Sequence, residues 1–326
     1  LISQWIHNRF YERGGPAWIL LYHRIADVAC DPWDLCVQPK AFDQQLQDLK
    51  KKYTVLPLEE IVHQWRRRQV MKNAVAVTFD DGYLDNFTDA MPLLEHHDIP
   101  ATFFITGGPY GDNQAFWWDE LQALLFESEV LPAHCSFNID GIMVEQDLGD
   151  EQYLDSDLKL ELRQWKSGML RKGARLQLYY GLWEVLKFSA QAIRDEAMEA
   201  IRAWAASGNM ALPVRMNNEQ IMVLHRHKLF TIGAHTVSHP ALSVLEGGEQ
   251  LKEMHANKTA LENLLRSTIQ LLAYPYGNYN ELTLALSKKA GFEAAFTTEV
   301  KPVNNCRSRF AIGRVVVSNA TKTFNL

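Results

Sequence analysis

The apolar positions of this chain form a strand-like run, then a helical stripe, and then repeat that pair. Trp18 to Tyr22 is a short continuous apolar run; Phe42, Leu46 and Leu49 follow at helical spacing in a polar stretch that ends at Lys52. Tyr53 to Leu58 reads as a second strand and Glu59 to Gln69 as a helix. Ala74 to Phe79 reads as a central strand rich in β-branched side chains. Asp89 to His97 is helical in pattern as far as Pro100, where Ala101 to Thr106 resumes a buried strand. Strand and helix in alternation predict a parallel sheet or barrel.

From about Phe116 the rhythm breaks, and it returns only after more than a hundred residues, at Thr231 to His235. The intervening stretch reads as an insertion. It holds an expected hairpin, Cys135 to Ile139 and Ile142 to Val144, joined by Asp140-Gly141, the dipeptide that suits a two-residue primed turn. The rest is helical, with Leu154, Leu158, Leu162 and Trp165 on one stripe and Ile193, Ala197, Ile201 and Trp204 on another, as packing faces. Asn217 with Gln220 three residues later marks a helix start that returns the chain to the repeating body. A helix from about Gly248 to Arg266, a strand Thr268 to Tyr274, a helix Glu281 to Ala290 and strands Ala294 to Thr298 and Ala311 to Val317 complete the pattern. The expected fold is α/β, a distorted or incomplete (β/α) barrel of about seven strands, residues 1–115 and 217–326, carrying a mainly helical inserted subdomain, residues 116–216.

Composition narrows the function classes. A chain of 326 residues with a formal charge of -6 has no chain-wide basic field to hold a polyanion, which argues against nucleic acid as partner. The longest apolar runs fall far short of the roughly 20 residues that cross a bilayer, so no transmembrane segment is expected. The sequence starts at Leu1, so an upstream signal or anchor removed from it is compatible with what remains, and compartment and oligomeric state stay open. Cys30 and Cys36 flank Pro32 and would bridge a short loop in an oxidising compartment; free thiols are the plainer reading.

The chemistry sits at strand ends. Thr78-Phe79-Asp80-Asp81-Gly82 puts two adjacent carboxylates just past an apolar strand, where burial forbids two charges unless a cation or proton shares the site. His235-Thr-Val-Ser-His239-Pro240 spaces two imidazoles four apart, which on a helical turn would stack them on one face. Two histidines and one carboxylate make a three-ligand metal site with open positions, able to bind water and polarise a carbonyl, and the second carboxylate is then free to act as base. In an extended strand, adjacent aspartates point opposite ways, which suits that division of labour.

A third element is Leu272-Ala-Tyr-Pro-Tyr-Gly277, a strand that runs into an aromatic-Pro-aromatic-Gly loop. With these three motifs in this order, the chain resembles the polysaccharide deacetylase family, carbohydrate esterase family 4 or the NodB homology domain, over roughly residues 17–110 and 217–317. The resemblance implies that Asp80 is the catalytic base and that Asp81, His235 and His239 hold a divalent metal, zinc by default with cobalt, nickel or manganese as alternatives. It also implies that Pro275 and Tyr276 lie on the substrate and oxyanion side, where the Tyr276 backbone N–H would help stabilise the oxyanion.

The chain departs from the common family pattern at two points. No histidine follows residue 277, where the family usually supplies its general acid. His23, in Leu20-Leu-Tyr-His-Arg24, resembles the Tyr-His motif of the branch that de-N-acetylates biofilm exopolysaccharides, and is the expected acid; the plainer reading is a strand-end histidine under a loop. Ala273 stands where many members carry an arginine that tunes the base, and Arg314 in Ile312-Gly-Arg-Val315 is the alternative guanidinium, or else a surface salt bridge. Gly107 to Gly111 reads as a loop at the cleft rim, and Trp117-Trp118 either anchors the insertion or stacks on sugar rings. His96-His97, His225-Arg-His227 and Arg66-Arg-Arg68 read as solvated helix ends.

The expected function is metal-dependent removal of N-acetyl groups from a hexosamine-containing polysaccharide or glycan precursor, with an acetylated glycan as partner. The rivals are an O-acetyl esterase, a catalytically silent carbohydrate-binding domain of the same fold, and a glycosidase, which would need carboxylates on separate strands.

Overall fold

The computed structural model describes residues 16–107, 115–206, 208 and 210–326. Two compact units divide the chain: Leu1–Asp27, Leu35–Asp112 and Met216–Leu326 form one, and Val28–Asp34 with Asn113–Arg215 form the other.

In the first unit strands and helices alternate along the chain. Strand β1 is Trp18–Tyr22, helix α1 Pro39–Lys52, β2 Thr54–Val55, α2 Leu58–Arg66 and β3 Ala74–Phe79. A π turn at Asn86–Ala90 leads into α3, Met91–His96, and then β4, Ala101–Ile105. After the second unit come α4 Asn218–Arg226, β5 Phe230–Ala234, α5 Gly247–Leu265, β6 Leu271–Ala273, α6 Glu281–Lys289, β7 Ala294–Phe296 and β8 Val315–Val316. The sheet order is β7-β6-β5-β4-β3-β1-β8, with β2 paired to the start of β3, and every one of these pairings is parallel. A parallel bridge between Phe296 and Ile312 ties the segment ahead of β8 to β7. The fold is an incomplete (β/α) barrel, with seven strands on one continuous path.

Alternate residues on each strand pack on opposite faces, as a period of two requires. Leu20, Tyr22, Val75, Val77, Phe79, Phe103 and Ile105 pack with Phe42, Leu46, Leu224, Met254 and Leu261 of the surrounding helices. Ile19, Ala74, Ala76, Phe104, Ala273 and Phe296 form a separate core with Leu58, Ile61 and Val62 of α2. The Asn217 cap of α4 is a complete capping box with Gln220. Several expected strands are shorter than their apolar runs: 53–58 contracts to Thr54–Val55, 268–274 to Leu271–Ala273 and 311–317 to Val315–Val316.

The second unit contains the hairpin His134–Ile139 with Ile142–Asp147, turned at Asp140 and Gly141, both at positive φ. Its helices are Trp117–Glu127, Ser156–Gln164, Ala174–Phe188 and Gln191–Ala205. Arg175 is fully buried and donates to the carbonyls of Glu151, Leu125, Ser128 and Gln152, which locks the helix at 174–188 to the turns before it. Trp118 is buried and stacks on Phe116 at 4.2 Å, a packing role. All four cysteines are free thiols. Within the expected rim loop, residues 108–111 lie outside the described residues.

Candidate active site

Because the strands of the main sheet are parallel, their carboxyl ends share one rim, and residues far apart in sequence become neighbours there. Phe79 closes β3 between Tyr22 and Phe103. The Asp80 N–H still donates to the Tyr22 carbonyl at 3.0 Å, and then the chain turns. Asp81 takes a φ of 74° and Gly82 one of 84°. A side chain at position 82 would stand 3.1 Å from Ile105 Cδ1. What separates the two carboxylates is therefore a left-handed turn, in place of the alternation of an extended strand that the sequence suggested.

His235 follows β5, and its N–H donates to Asn257 Oδ1 at 2.9 Å. The helical turn expected from the four-residue spacing of the histidines is absent: 235–239 is irregular, with a φ of 65° at Thr236 and 56° at His239. The proline at 240 disfavours a helical His239, and the loop delivers both rings by another route. Helix α5 holds it in place. Glu253 accepts from the Val237 and Ser238 N–H groups, both at 2.9 Å, and from Ser238 Oγ at 2.8 Å. One turn on, the Asn257 amide donates to the carbonyls of Ile105 and Gly107 at 3.1 and 2.7 Å. Neither residue stood out in the sequence. The available signal was a carboxylate and a carboxamide spaced i, i+4 beside the apolar Met254 and Leu261 of one helix.

Asp81 Oδ1 lies 3.2 Å from His239 Nε2 and 3.4 Å from His235 Nε2. One ligand atom from each of the three buried side chains lies within 4.8 Å of the others. His235 Nδ1 is 2.8 Å from the Ala273 carbonyl, which can only accept; Nδ1 therefore carries the proton, and Nε2 turns its lone pair inward. Among the described residues, no donor other than these two imidazoles reaches the buried Asp81 Oδ1. A lone pair thus faces a carboxylate oxygen, an arrangement that calls for positive charge between them. The pKa directions express the same demand. Burial pushes the His235 imidazole down, but the Asp80 and Asp81 carboxylates more than offset it and hold it above its ordinary value. Burial pushes the Asp81 carboxyl up, and the two imidazoles beside it hold it well below the usual range. Two nitrogens and one carboxylate oxygen fit a divalent ion with coordination positions to spare, so these three residues could hold one.

Asp80 is bound differently. Its Oδ1 and Oδ2 each accept a 2.7 Å hydrogen bond from Arg314, through Nη1 and Nη2 respectively. Arg314 is completely buried, which rules out a surface salt bridge, and its Nε donates to the Thr297 carbonyl at 3.1 Å. Burial raises the Asp80 pKa, but the Arg314 guanidinium and then His235 outweigh it, leaving the carboxyl below its ordinary value. Asp80 Oδ2 is 3.8 Å from His235 Nε2, so the carboxylate borders the three-residue cluster.

His23 lies just past β1, with its carbonyl held by Asn86 Nδ2 at 2.8 Å. Its Nδ1 is buried, with no hydrogen-bond partner among the described residues. Burial lowers its pKa, against an upward pull from Asp81 and Asp80. Past β6, the Tyr274 N–H donates to the Phe296 carbonyl at 3.0 Å, Pro275 is buried, and Tyr276 adopts a φ of 57°. The Tyr276 ring meets His239 edge-on at 4.6 Å. Gly277, at a φ of 64°, has the Thr298 backbone nitrogen 2.6 Å from where a Cβ would stand, so only glycine closes this loop. Asp80, Asp81, His235, His239 and Arg314 are thus in direct contact; Tyr276 joins them through His239, and His23 through its electrostatic coupling to the aspartates.

The chain is similar in fold to Streptococcus pyogenes deacetylase PplD, whose structure was solved with acetate: the TM-score is 0.57 at 18% identity, covering 95% of each chain. A de-N-acetylase from Aggregatibacter actinomycetemcomitans gives 0.55 at 14% identity, covering 94% of this chain and 96% of that one. YxkH of Bacillus subtilis (strain 168), a protein named for a polysaccharide deacetylase, is 21% identical over 318 residues, 97% of this chain and 75% of that one. The sequence pattern described as polysaccharide deacetylase matches residues 67–134 and 200–295, just over half of the chain. The chain belongs to the polysaccharide deacetylase family.

Proposed function

We propose that this protein is a metal-dependent deacetylase that hydrolyses N-acetyl groups on a hexosamine-containing polysaccharide or glycan precursor and releases acetate. The observation that carries the reading is the convergence of Asp81, His235 and His239 on one point, beside an Asp80 carboxylate that Arg314 keeps ionised. The similarity to a de-N-acetylase supports the choice of amide over ester.

In this reading Asp81, His235 and His239 hold the cation. When bound, it supplies Lewis acidity to a water and to the acetyl carbonyl. Asp80 accepts the proton of the attacking water, and its bidentate contact with Arg314 keeps its lone pairs oriented and its charge in place at neutral pH. The backbone N–H of Tyr276, in the loop fixed by Gly277, is the donor this reading assigns to the oxygen on which negative charge develops. His23 gives a proton to the departing amine: burial pulls its pKa down, and the Asp81 and Asp80 carboxylates pull against that, toward the charged form that can donate.

The test is acetate release from N-acetylglucosamine oligomers, measured with metal content before and after a chelator and after zinc is added back. Loss and recovery of turnover together with a free-amine product is the expected result. Release from O-acetyl sugars alone selects the esterase, and glycan binding without release selects a silent carbohydrate-binding domain.

A further inference from the structure

After Tyr22 the chain leaves the main sheet. Arg24 and Ile25 pair in parallel with Cys36 and Val37 in a separate two-stranded ribbon, so His23 is the single residue between sheet and ribbon and belongs to neither ladder. Its Nδ1 has no hydrogen-bond partner among the described residues. The backbone on either side, and no bond at Nδ1, therefore sets where the imidazole stands.

That backbone is pinned by the segment that contains the paired aspartates. Ahead of His23, the Tyr22 carbonyl accepts from the Asp80 N–H at 3.0 Å. At His23 itself, the carbonyl accepts from Asn86 Nδ2 at 2.8 Å. Beyond it, Asp85 Oδ2 accepts from Arg24 Nε at 2.9 Å and Asp85 Oδ1 from the Ile25 N–H at 3.1 Å. Asn86 Nδ2 also donates to Asp85 Oδ1 at 3.2 Å, which joins the two anchors. The Arg24 guanidinium lies 4.8 Å from the centre of the Tyr83 ring, so it is held to the same turn twice. Asn86 is completely buried, and the side chains of Arg24 and Asp85 are 16% and 12% exposed. Water competes little for these bonds, and the low local dielectric strengthens them.

Asp85 and Asn86 stand at the start of the π turn Asn86–Ala90, an irregularity that recurs beside functional sites. The stretch 80–86 thus carries Asp80, Asp81 and the anchors of residues 23–25 on one piece of backbone. The spacing between the Asp80 carboxylate and the His23 ring is fixed by that piece, although 57 residues separate the two in sequence.

We propose that Asp85 and Asn86 are positioning residues for the release of the amine: they hold residues 23–25 so that the His23 imidazole meets the departing nitrogen. The proposal rests on the reading of His23 as the acid. As the C–N bond breaks, its electron pair goes to nitrogen, which takes the imidazolium proton, because an amine is too basic to leave without one. An aryl ester makes no such demand. Its phenolate oxygen keeps the electron pair of the broken C–O bond and leaves unprotonated.

The experiment compares these two leaving groups. The zinc-loaded full chain and its Asn86→Ala, Asp85→Asn and His23→Gln variants are assayed on N-acetylglucosamine oligomers and on 4-nitrophenyl acetate, with zinc content and far-UV circular dichroism recorded for each. His23→Gln should lose turnover on the amide far more than on the ester. Asn86→Ala should show the same selectivity, with kcat on the amide down about 10²-fold, the cost of a reacting group displaced by an ångström, and KM little changed. Asp85→Asn keeps the shape and removes the charge that Arg24 answers; its loss should be smaller and equally selective, and it carries the test alone where Asn86→Ala does not fold. In the His23→Gln background neither substitution should add to the loss on the amide, because both act through the imidazole. Equal losses on amide and ester, or losses that add fully in that background, overturn the proposal and leave Asp85 and Asn86 as structural residues. A selective loss in His23→Gln that the Asp85 and Asn86 variants do not share overturns it while sparing the acid role. No selective loss in His23→Gln overturns the acid role and the proposal with it.

Discussion

Replacing Arg314 with glutamine removes the charge that opposes burial at Asp80 while leaving a polar side chain of reduced reach. In the native protein two 2.7 Å hydrogen bonds join a fully buried guanidinium to a carboxylate that is 2% exposed. Breaking such a pair leaves one charge buried and alone, at a cost of about 3–5 kcal/mol. For a unit of this size that is a fall in Tm of roughly 10 °C. The cost depends on pH with a definite sign. The Asp80 pKa is depressed in the folded state, so its pairing stabilises fully above the ordinary aspartate value, and this contribution is lost as pH falls through the lower, folded value. In Arg314→Gln the carboxyl escapes its penalty by taking a proton, so the gap in stability between native and variant protein should narrow as pH falls. The same protonation removes the base. The acid limb of kcat/KM should move to higher pH, and part of the activity should return on the alkaline side. Denaturant unfolding across a pH series and a pH–rate profile on an N-acetylated glycan measure both effects. A stability gap that is constant with pH, together with an unmoved acid limb, would refute the electrostatic account and leave Arg314 as packing alone.

Three other substitutions address separate parts of the site. Glu253→Gln keeps the shape but weakens the clamp on Val237 and Ser238; zinc affinity, followed by competition with a chromophoric chelator, should fall about 10–100-fold with the fold intact, and native affinity would show the clamp to be dispensable. His23→Gln should lower kcat about 10²–10⁴-fold without loss of bound metal, and unchanged turnover would move the acid role elsewhere. Gly277→Ala forces a Cβ toward the Thr298 backbone at a positive φ; it should cost about 1–3 kcal/mol in denaturant unfolding and more in kcat than in KM, whereas a crystal structure with Tyr276 undisturbed would contradict the steric argument.

The strand and helix rhythm was legible because a parallel barrel needs apolar runs for strands and 3.6-period stripes for the helices that cover them. Its boundaries were less so. Thr268 to Tyr274 reads as one apolar strand, but only Leu271–Ala273 lies in the ladder. The residues beyond are buried for other reasons: Ile269 in the helix-facing core, and Tyr274 through its hydroxyl contacts with Ser287 and the Phe310 carbonyl. Burial is visible in composition, whereas ladder pairing depends on the neighbouring strand. The short segment Val28–Asp34 carries no pattern that assigns it to the second unit; the stacking of Trp33 on Trp183, remote in sequence, places it there.

At the site, residue types were readable and backbone was not. Paired aspartates and spaced histidines announce a demand for positive charge, because such groups are costly to bury otherwise. How they converge depends on three non-glycine residues at positive φ: Asp81, Thr236 and His239. Periodicity describes regular backbone only, so it offered a helical turn at 235–239 and an extended strand at 80–81. Both regular alternatives were opposed locally, by Pro240 after the second histidine and by Gly82 after the second aspartate. Arg314 was legible as a cation inside an apolar run, but its partner was not, since 234 residues separate it from Asp80. The left-handed turns carry strain of order 1 kcal/mol each. In the His235 loop it is offset by neutral-to-charged hydrogen bonds from Val237, Ser238 and the Ser238 hydroxyl to a single glutamate. The helix that supplies that glutamate is therefore as much a part of the site's geometry as the strands whose ends bear the ligands.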